Sequence, residues 1–239
     1  MAGTVVIIGA TGGIGSALAR RVAARGGRPF LIGRDAARVA ALAAELGAGH
    51  AVADALDGQA LAAAVQAAGS PLAGLAYCVG SIVLKPLKRV TEADMLDAYR
   101  LNVVGAMVAV QAAAPALTAG QGAVVLFSSV AARAGFPNHA AIGAAKAGVE
   151  GLALALGAEL APVRVNVIAP SLTRTGIAAP LTGNAQMADA IARLHPVPRL
   201  GEAEDSAALA DFLLSAQAGW ISGQVIGVDG GRSSLRSKG

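Results

Sequence analysis

Gly9-Ala10-Thr11-Gly12-Gly13-Ile14-Gly15 follows the apolar run Val5–Ile8 and opens an alanine-rich stretch beginning at Ile14. A strand, a glycine turn and a helix in that order bring backbone amides and the positive end of a helix to one point, an arrangement suited to a pyrophosphate. The glycines permit the tight turn and let a ligand approach the main chain closely. Gly9, Thr11, Gly13, Ile14 and Gly15 are therefore candidate binding residues.

Outward from this loop, short runs rich in Val, Ile and Leu alternate with longer alanine-rich segments, the pattern of buried parallel strands joined by crossover helices. The sequence predicts strands at Val5–Ile8, Phe30–Ile32, Ala51–Ala53, Leu75–Val79, Ala123–Phe127, Val163–Ile168 and Gln224–Val228. Helices are expected at Ile14–Arg25, Ala36–Leu46, Gln59–Ala68, Glu92–Ala116, Ala140–Leu160 and Glu204–Ser215. The expected fold is α/β, a doubly wound Rossmann-type domain over residues 1–239 whose seven-stranded parallel sheet carries helices on both faces. Thr91 with Asp94 three residues on resembles a capping box. The stretch Ser171–Leu200, holding Pro180, Pro196 and Pro198, breaks the rhythm and reads as a lid over a substrate pocket.

Composition narrows the function classes. The 239 residues are 55% hydrophobic and 14% charged, which excludes disorder because ample apolar surface is available to offset chain entropy. Cys78 is the single cysteine, so no disulfide framework exists and a reducing cytoplasm fits. The mean hydropathy of +0.60 raises the question of membrane insertion. Pro115, Gly120 and Gly122 interrupt the uncharged stretch Leu101–Ala132, and no membrane span is expected there. The first basic residue, Arg20, lies behind Val5–Ile8, the reverse of the order in an export signal. The net charge of +4 includes Arg20, Arg21, Arg25, Arg28, Arg34 and Arg38. No aromatic residues are interleaved to stack on bases, so nucleic-acid binding is not expected. Most of these arginines read as solvated helix faces, and the tail Arg232–Lys238 as a frayed polar end.

The spacing of Gly9, Gly13 and Gly15 resembles the G-x-x-x-G-x-G loop of the short-chain dehydrogenase/reductase family. Further stretches are similar in order and spacing: Asp54, Asn102 in Leu101-Asn102-Val103, Arg164-Val165-Asn166-Val167-Ile168-Ala169-Pro170, Pro198-Arg199-Leu200-Gly201-Glu202, and Gly223–Gly231. The resemblance implies a nicotinamide dinucleotide cofactor. It puts Asp54 at the adenine, Val79, Gly80 and Pro170 beside the nicotinamide, and Thr173 and Thr175 at the carboxamide and phosphates. Ser171 stands where the family has glycine. At the end of the second strand an arginine accommodates a ribose 2′-phosphate and a carboxylate bonds a free 2′-hydroxyl. Arg34 occupies that slot and favours NADP over NAD, while Asp35 suits the N-cap of the following helix.

The family's active site is a Ser, a Tyr thirteen residues later, a Lys four beyond it, and an Asn. Ser129, Lys146 and Asn102 match, but the tyrosine position is Ile142. The resemblance implies that Lys146 bonds the nicotinamide ribose and Ser129 orients the acceptor, and leaves the proton without its usual donor. Lys146, His139 and Tyr77 are the candidate substitutes, while Cys78 reads as packing. Ser129, Ile142 and Ser171 are expected to line a substrate pocket, and no metal site is expected. The expected activity is NADP-dependent reduction of a small apolar substrate: an imine, an activated double bond or a carbonyl. The alternative is a catalytically silent NADP-binding protein acting as a sensor or partner subunit. By resemblance the protein assembles as a homodimer or homotetramer through the two long helices, in the cytoplasm.

Overall fold

The computed structural model describes residues 3–236. In chain order the elements are β1 (Thr4–Ile8), α1 (Gly13–Ala24), β2 (Arg28–Gly33), α2 (Ala36–Leu46), β3 (Gly49–Val52), α3 (Gly58–Gln66) and β4 (Leu72–Tyr77). Then come α4 (Glu92–Tyr99), α5 (Gly105–Gly120), β5 (Ala123–Phe127), α6 (Ala140–Glu159) and β6 (Arg164–Pro170). The last part holds β7 (Thr173–Arg174), α7 (Ala179–Thr182), α8 (Ala185–Ala192), β8 (Gly201–Glu202), α9 (Ala203–Leu214) and β9 (Val225–Val228).

Seven strands form one parallel sheet in the order β3-β2-β1-β4-β5-β6-β9. Successive side chains of a strand point to opposite faces, so each run feeds two cores. Val6, Ile8, Leu75, Val124 and Val165 pack on one face under α3, α5 and α6. Val5, Ile7, Leu31, Val125 and Ile168 pack on the other under α1, α2 and α9. Helix starts follow local chemistry. Asp35 caps α2 by accepting the Arg38 amide at 3.1 Å, and Thr91 with Asp94 closes a capping box on α4.

Four expectations change. β4 begins at Leu72 rather than Leu75 and ends before Val79. Gly74, a poor strand former, is held there because Leu214 and the Ala123 carbonyl occupy the space that a side chain would need. The helix expected at Glu92–Ala116 is instead two helices joined by a wider turn at Arg100–Val104, where the Gly105 amide donates to the Arg100 carbonyl five residues back. α5 also runs through Pro115 to Gly120. The ring faces solvent beside exposed Gln111, whose carbonyl needs no helical donor there. The expected interruption at Pro115 is therefore absent, while the one at Gly120–Gly122 is present: α5 ends at Gly120 and Gln121 takes φ +48°. By length and hydropathy, Glu92–Gly120 and α6 are each long and apolar enough to cross a membrane, with 39% of each window buried against the rest of the protein. Finally, Ser171–Leu200 is not a bare loop. β7 pairs with β8 beside the main sheet, and α7 and α8 lie between them.

Candidate active site

A cavity of about 780 Å³ lies along the carboxyl ends of the strands, reached by Ile8, Gly33, Ala53, Cys78, Phe127 and Pro170. The strand order reverses between β1 and β4, and open α/β sheets bind ligands at such a reversal. Gly9 takes φ +78°, a backbone conformation that favours glycine. The amides of Gly9 and Ala10 both donate to the Ile32 carbonyl, at 2.8 and 3.1 Å, which ties the loop to β2. α1 has no side-chain cap, so its first-turn amides keep no helical partner and remain available to an anion. Gly9, Thr11, Gly13 and Ile14 line the cleft, and Gly12 joins them. Gly15 does not. A Cβ there would strike the Gly9 carbonyl oxygen, so its role is close packing of helix on loop.

Arg34 lines the cleft at the end of β2, while Asp35 is turned to its capping role. Arg38, read from sequence as a solvated face, also lines the cleft and donates from Nη2 to the Thr11 carbonyl at 2.7 Å. Its position one helical turn beyond Arg34 was the available signal. Asp54 lines the same region and accepts the Leu56 amide at 2.9 Å. Val79, Gly80, Pro170, Thr173 and Thr175 are all at the cleft. The Thr173 hydroxyl donates to the Ser171 carbonyl at 3.0 Å.

Ser129 follows β5 and lines the cleft, its Oγ accepting the Ala131 amide at 3.2 Å. Ile142 and Lys146 are both buried on α6 and share the cleft, one turn apart and so on one face of the helix. Lys146 Nζ donates to the Phe127 carbonyl at 2.9 Å. Burial lowers its pKa to about 8, and no carboxylate pairs with it among the described residues. Asn102 sits in the wider turn behind Gly80 rather than on the cleft wall, its Nδ2 donating to the Ala98 carbonyl at 2.8 Å. A Cβ placed on Gly80 would lie 3.2 Å from Lys146 Nζ and 3.3 Å from Asn102 Oδ1, so both groups converge behind that glycine. Asn102 Oδ1 is buried with no partner, a spare acceptor beside the amine.

His139 immediately precedes α6 and lines the cleft. Its Nδ1 is 2.7 Å from the Pro137 carbonyl, so that nitrogen carries the proton. Its ring tilts against that of Phe136 at 5.4 Å, and the Arg232 guanidinium lies 5.0 Å from the Phe136 ring. Arg232, assigned from sequence to a frayed end, thus reaches the cleft, while residues 237–239 of that tail lie outside the described residues. The protein has two tyrosines, and neither lines the cleft. Tyr77 donates from its hydroxyl to the Leu101 carbonyl at 2.7 Å, and burial raises its pKa. Tyr99 lies over Gly148. Burial pushes the Cys78 thiol up to about 12, which leaves it a packing residue rather than a nucleophile.

Uncapped amides, two guanidiniums, a buried amine and a spare amide acceptor along one cleft together fit a nicotinamide dinucleotide. The comparisons with known proteins agree with this geometry. Residues 9–233 match the family described as Enoyl-(Acyl carrier protein) reductase. The chain is 33% identical over 237 residues to the D-threitol dehydrogenase of Mycolicibacterium smegmatis, covering 95% of this chain and 91% of that protein. A short-chain type dehydrogenase/reductase from Mycobacterium ulcerans superposes with a TM-score of 0.91 at 33% identity, over 98% of this chain and 90% of that one. A gluconate 5-dehydrogenase from Burkholderia cenocepacia, solved in complex with NADP and tartrate, superposes with a TM-score of 0.91 at 27% identity, over 98% and 96% of the two chains.

Proposed function

Since the chain belongs to the short-chain dehydrogenase/reductase family of oxidoreductases, we propose that it transfers hydride from NADPH to a small apolar acceptor that needs no phenolic acid. An imine or an activated double bond fits better than a simple ketone. One observation carries this reading: Ile142 stands beside Lys146 in the cleft, and neither tyrosine reaches it. When bound, the nicotinamide supplies the hydride. The chain's own residues do the remaining work. The amides of Gly13 and Ile14 hold the pyrophosphate, Arg34 and Arg38 the 2′-phosphate, and Asp54 the adenine end. Lys146 bonds the ribose hydroxyls through an ammonium that loses no other contact than the Phe127 carbonyl. Ser129 orients the acceptor, and Ile142 with Leu172, Ile177 and Ile191 excludes water from it. The segment 171–200 supplies three of these apolar side chains and acts as the lid.

NADP as partner is supported by Arg34 at the end of β2 and Arg38 in α2, and by the NADP that the Burkholderia relative binds. Charge-assisted hydrogen bonds contribute about 1.5–3 kcal/mol, so Arg34→Glu is expected to weaken NADPH binding about 10–100-fold and leave NADH binding unchanged or improved. Isothermal titration of both cofactors checks this, and equal losses for the two would overturn the assignment of Arg34.

The same reading places the protein in the cytoplasm as a homodimer or homotetramer built on α4, α5 and α6, where Tyr99, Val104 and Leu154 expose apolar surface. The activity is tested by following NADPH oxidation against matched ketones, imines and enones. Turnover of imines or enones is expected. Strong ketone reduction by the native protein would refute the choice of substrate, and binding without any turnover would favour the silent alternative.

A further inference from the structure

The cleft lacks a phenol, yet a second route for a proton is built into its wall. Ser171 follows Pro170 at the end of β6, where the family resemblance places glycine. Its Oγ lies 2.8 Å from Nε2 of His195, a histidine only 4% exposed. His195 Nδ1 is 2.9 Å from the Ile191 carbonyl and 3.3 Å from that of Ala192. Carbonyls only accept, so Nδ1 carries a proton, and in the neutral ring Nε2 is the acceptor of the Ser171 hydroxyl.

The placement of this pair between two cavities gives it a use. Ser171 lines the main cleft and also a second cavity of about 520 Å³, which His195 lines but the cleft does not reach. The exposed carboxylate of Glu204 lies on that second cavity, so its far side meets water. Asp229 lines it too, but both its oxygens are engaged by Gly231 and Ser233. Among the described residues Ser171 is therefore the one that lines both cavities, and its Oγ is the atom bonded to His195.

We propose that Ser171 and His195 form a proton relay that supplies the acid missing at Ile142, an inference that rests on the reductase reading above. In the charged pair the imidazolium Nε2–H donates to Ser171 Oγ, which turns the serine's own hydrogen toward the cleft. As the acceptor takes hydride from the reduced dinucleotide, its oxygen or nitrogen takes the hydrogen of Ser171. The Nε2 hydrogen moves to Ser171, and the ring is left neutral with Nδ1 still on the Ile191 carbonyl. Water of the second cavity returns one proton through Ser171 to Nε2. The acceptor has gained two electrons with the hydride and one proton, and the pair is restored. Ser171 is the catalytic residue here, and His195 a positioning residue that acts through it.

The test compares Ser171→Gly and His195→Gln in the native protein and in an Ile142→Tyr background, with NADPH and the best acceptor of the panel. In the native background each is expected to lower kcat by about 10²-fold or more, the usual worth of an acid, without changing NADPH affinity. With tyrosine present, Ser171→Gly is expected to have little effect, because the acid no longer comes from the relay. Nitrogen-15 spectra of the histidine ring give a readout independent of turnover: Nδ1 protonated, and Nε2 shifted by Ser171→Gly. Should His195→Gln fail to fold, Ser171→Gly and the spectra still decide. Equal losses in both backgrounds, a native rate in Ser171→Gly, or an Nε2 signal indifferent to Ser171 would overturn the relay alone. Bound NADPH that no acceptor oxidises would overturn the reductase reading and the relay with it.

Discussion

Ile142→Tyr, introduced into a Ser171→Gly background that lacks the relay, is expected to raise ketone reduction with NADPH by about 10²–10⁴-fold, the range a positioned general acid contributes. Residue 142 lies one helical turn from Lys146 and already borders the cleft, so a phenol there would share its face with the ammonium. A nearby positive charge favours phenolate and lowers the phenol pKa toward the working range. Enlarging a buried side chain ordinarily destabilises by about 1–3 kcal/mol. The ring here can extend into a cavity of about 780 Å³ rather than into packed core, so most of that penalty is avoided. Steady-state kcat/KM on a ketone series checks the gain, with NADPH affinity as the control that should move little. Silence on ketones despite tight NADPH binding would mean that the cleft differs from an active one by more than this side chain.

Lys146→Met separates stability from function in opposite directions. Burial lowers the amine from 10.5 to about 8. At 1.36 kcal/mol for each pH unit between the two values, the folded state carries about 3 kcal/mol of penalty below pH 8. The unfolded chain binds the extra proton between about 8 and 10.5, so the native protein gains stability as pH rises through that interval. Methionine removes the penalty but leaves the Phe127 carbonyl without its donor, a loss of about 1–2 kcal/mol. The variant is therefore expected to be more stable at pH 7 by about 1–2 kcal/mol, an advantage that vanishes above the upper end of the interval. Cofactor-dependent turnover should meanwhile fall by about 10²-fold, since a charged hydrogen bond to the ribose is lost. Denaturant midpoints against pH and NADPH oxidation rates provide the two readouts. A variant less stable at neutral pH would show that the amine is stabilised by its surroundings rather than strained by them.

The parts of this structure that sequence reveals are those set by local chemistry. β5 falls where its uninterrupted apolar run predicts it, and Asp35 and Thr91 cap their helices because a cap needs only the next three residues. Ser129, Ile142 and Lys146 were legible as a set because their fixed spacing, just after β5 and along α6, brings them to one cleft. Long-range packing hid the rest. Gly74 belongs to a strand only because Leu214 covers it, and Arg38 reaches Thr11 only after α2 has docked beside the loop. His195 meets Ser171 from 24 residues away across two short helices, a contact that no periodicity announces.

The wider turn at Arg100–Val104 has an architectural effect on every element after it. Adding one residue to a helical turn rotates the next helix by about 100°, so α4 and α5 do not share a face although no loop divides them. α4 therefore meets α6, while α5 settles on α3 and β4. One uninterrupted backbone thus serves as a corner piece, bracing the amine-bearing helix from one side and the sheet from the other. The rotation occurs around Asn102, so deleting a single residue there would straighten the rod and swing either the brace or the amide out of place.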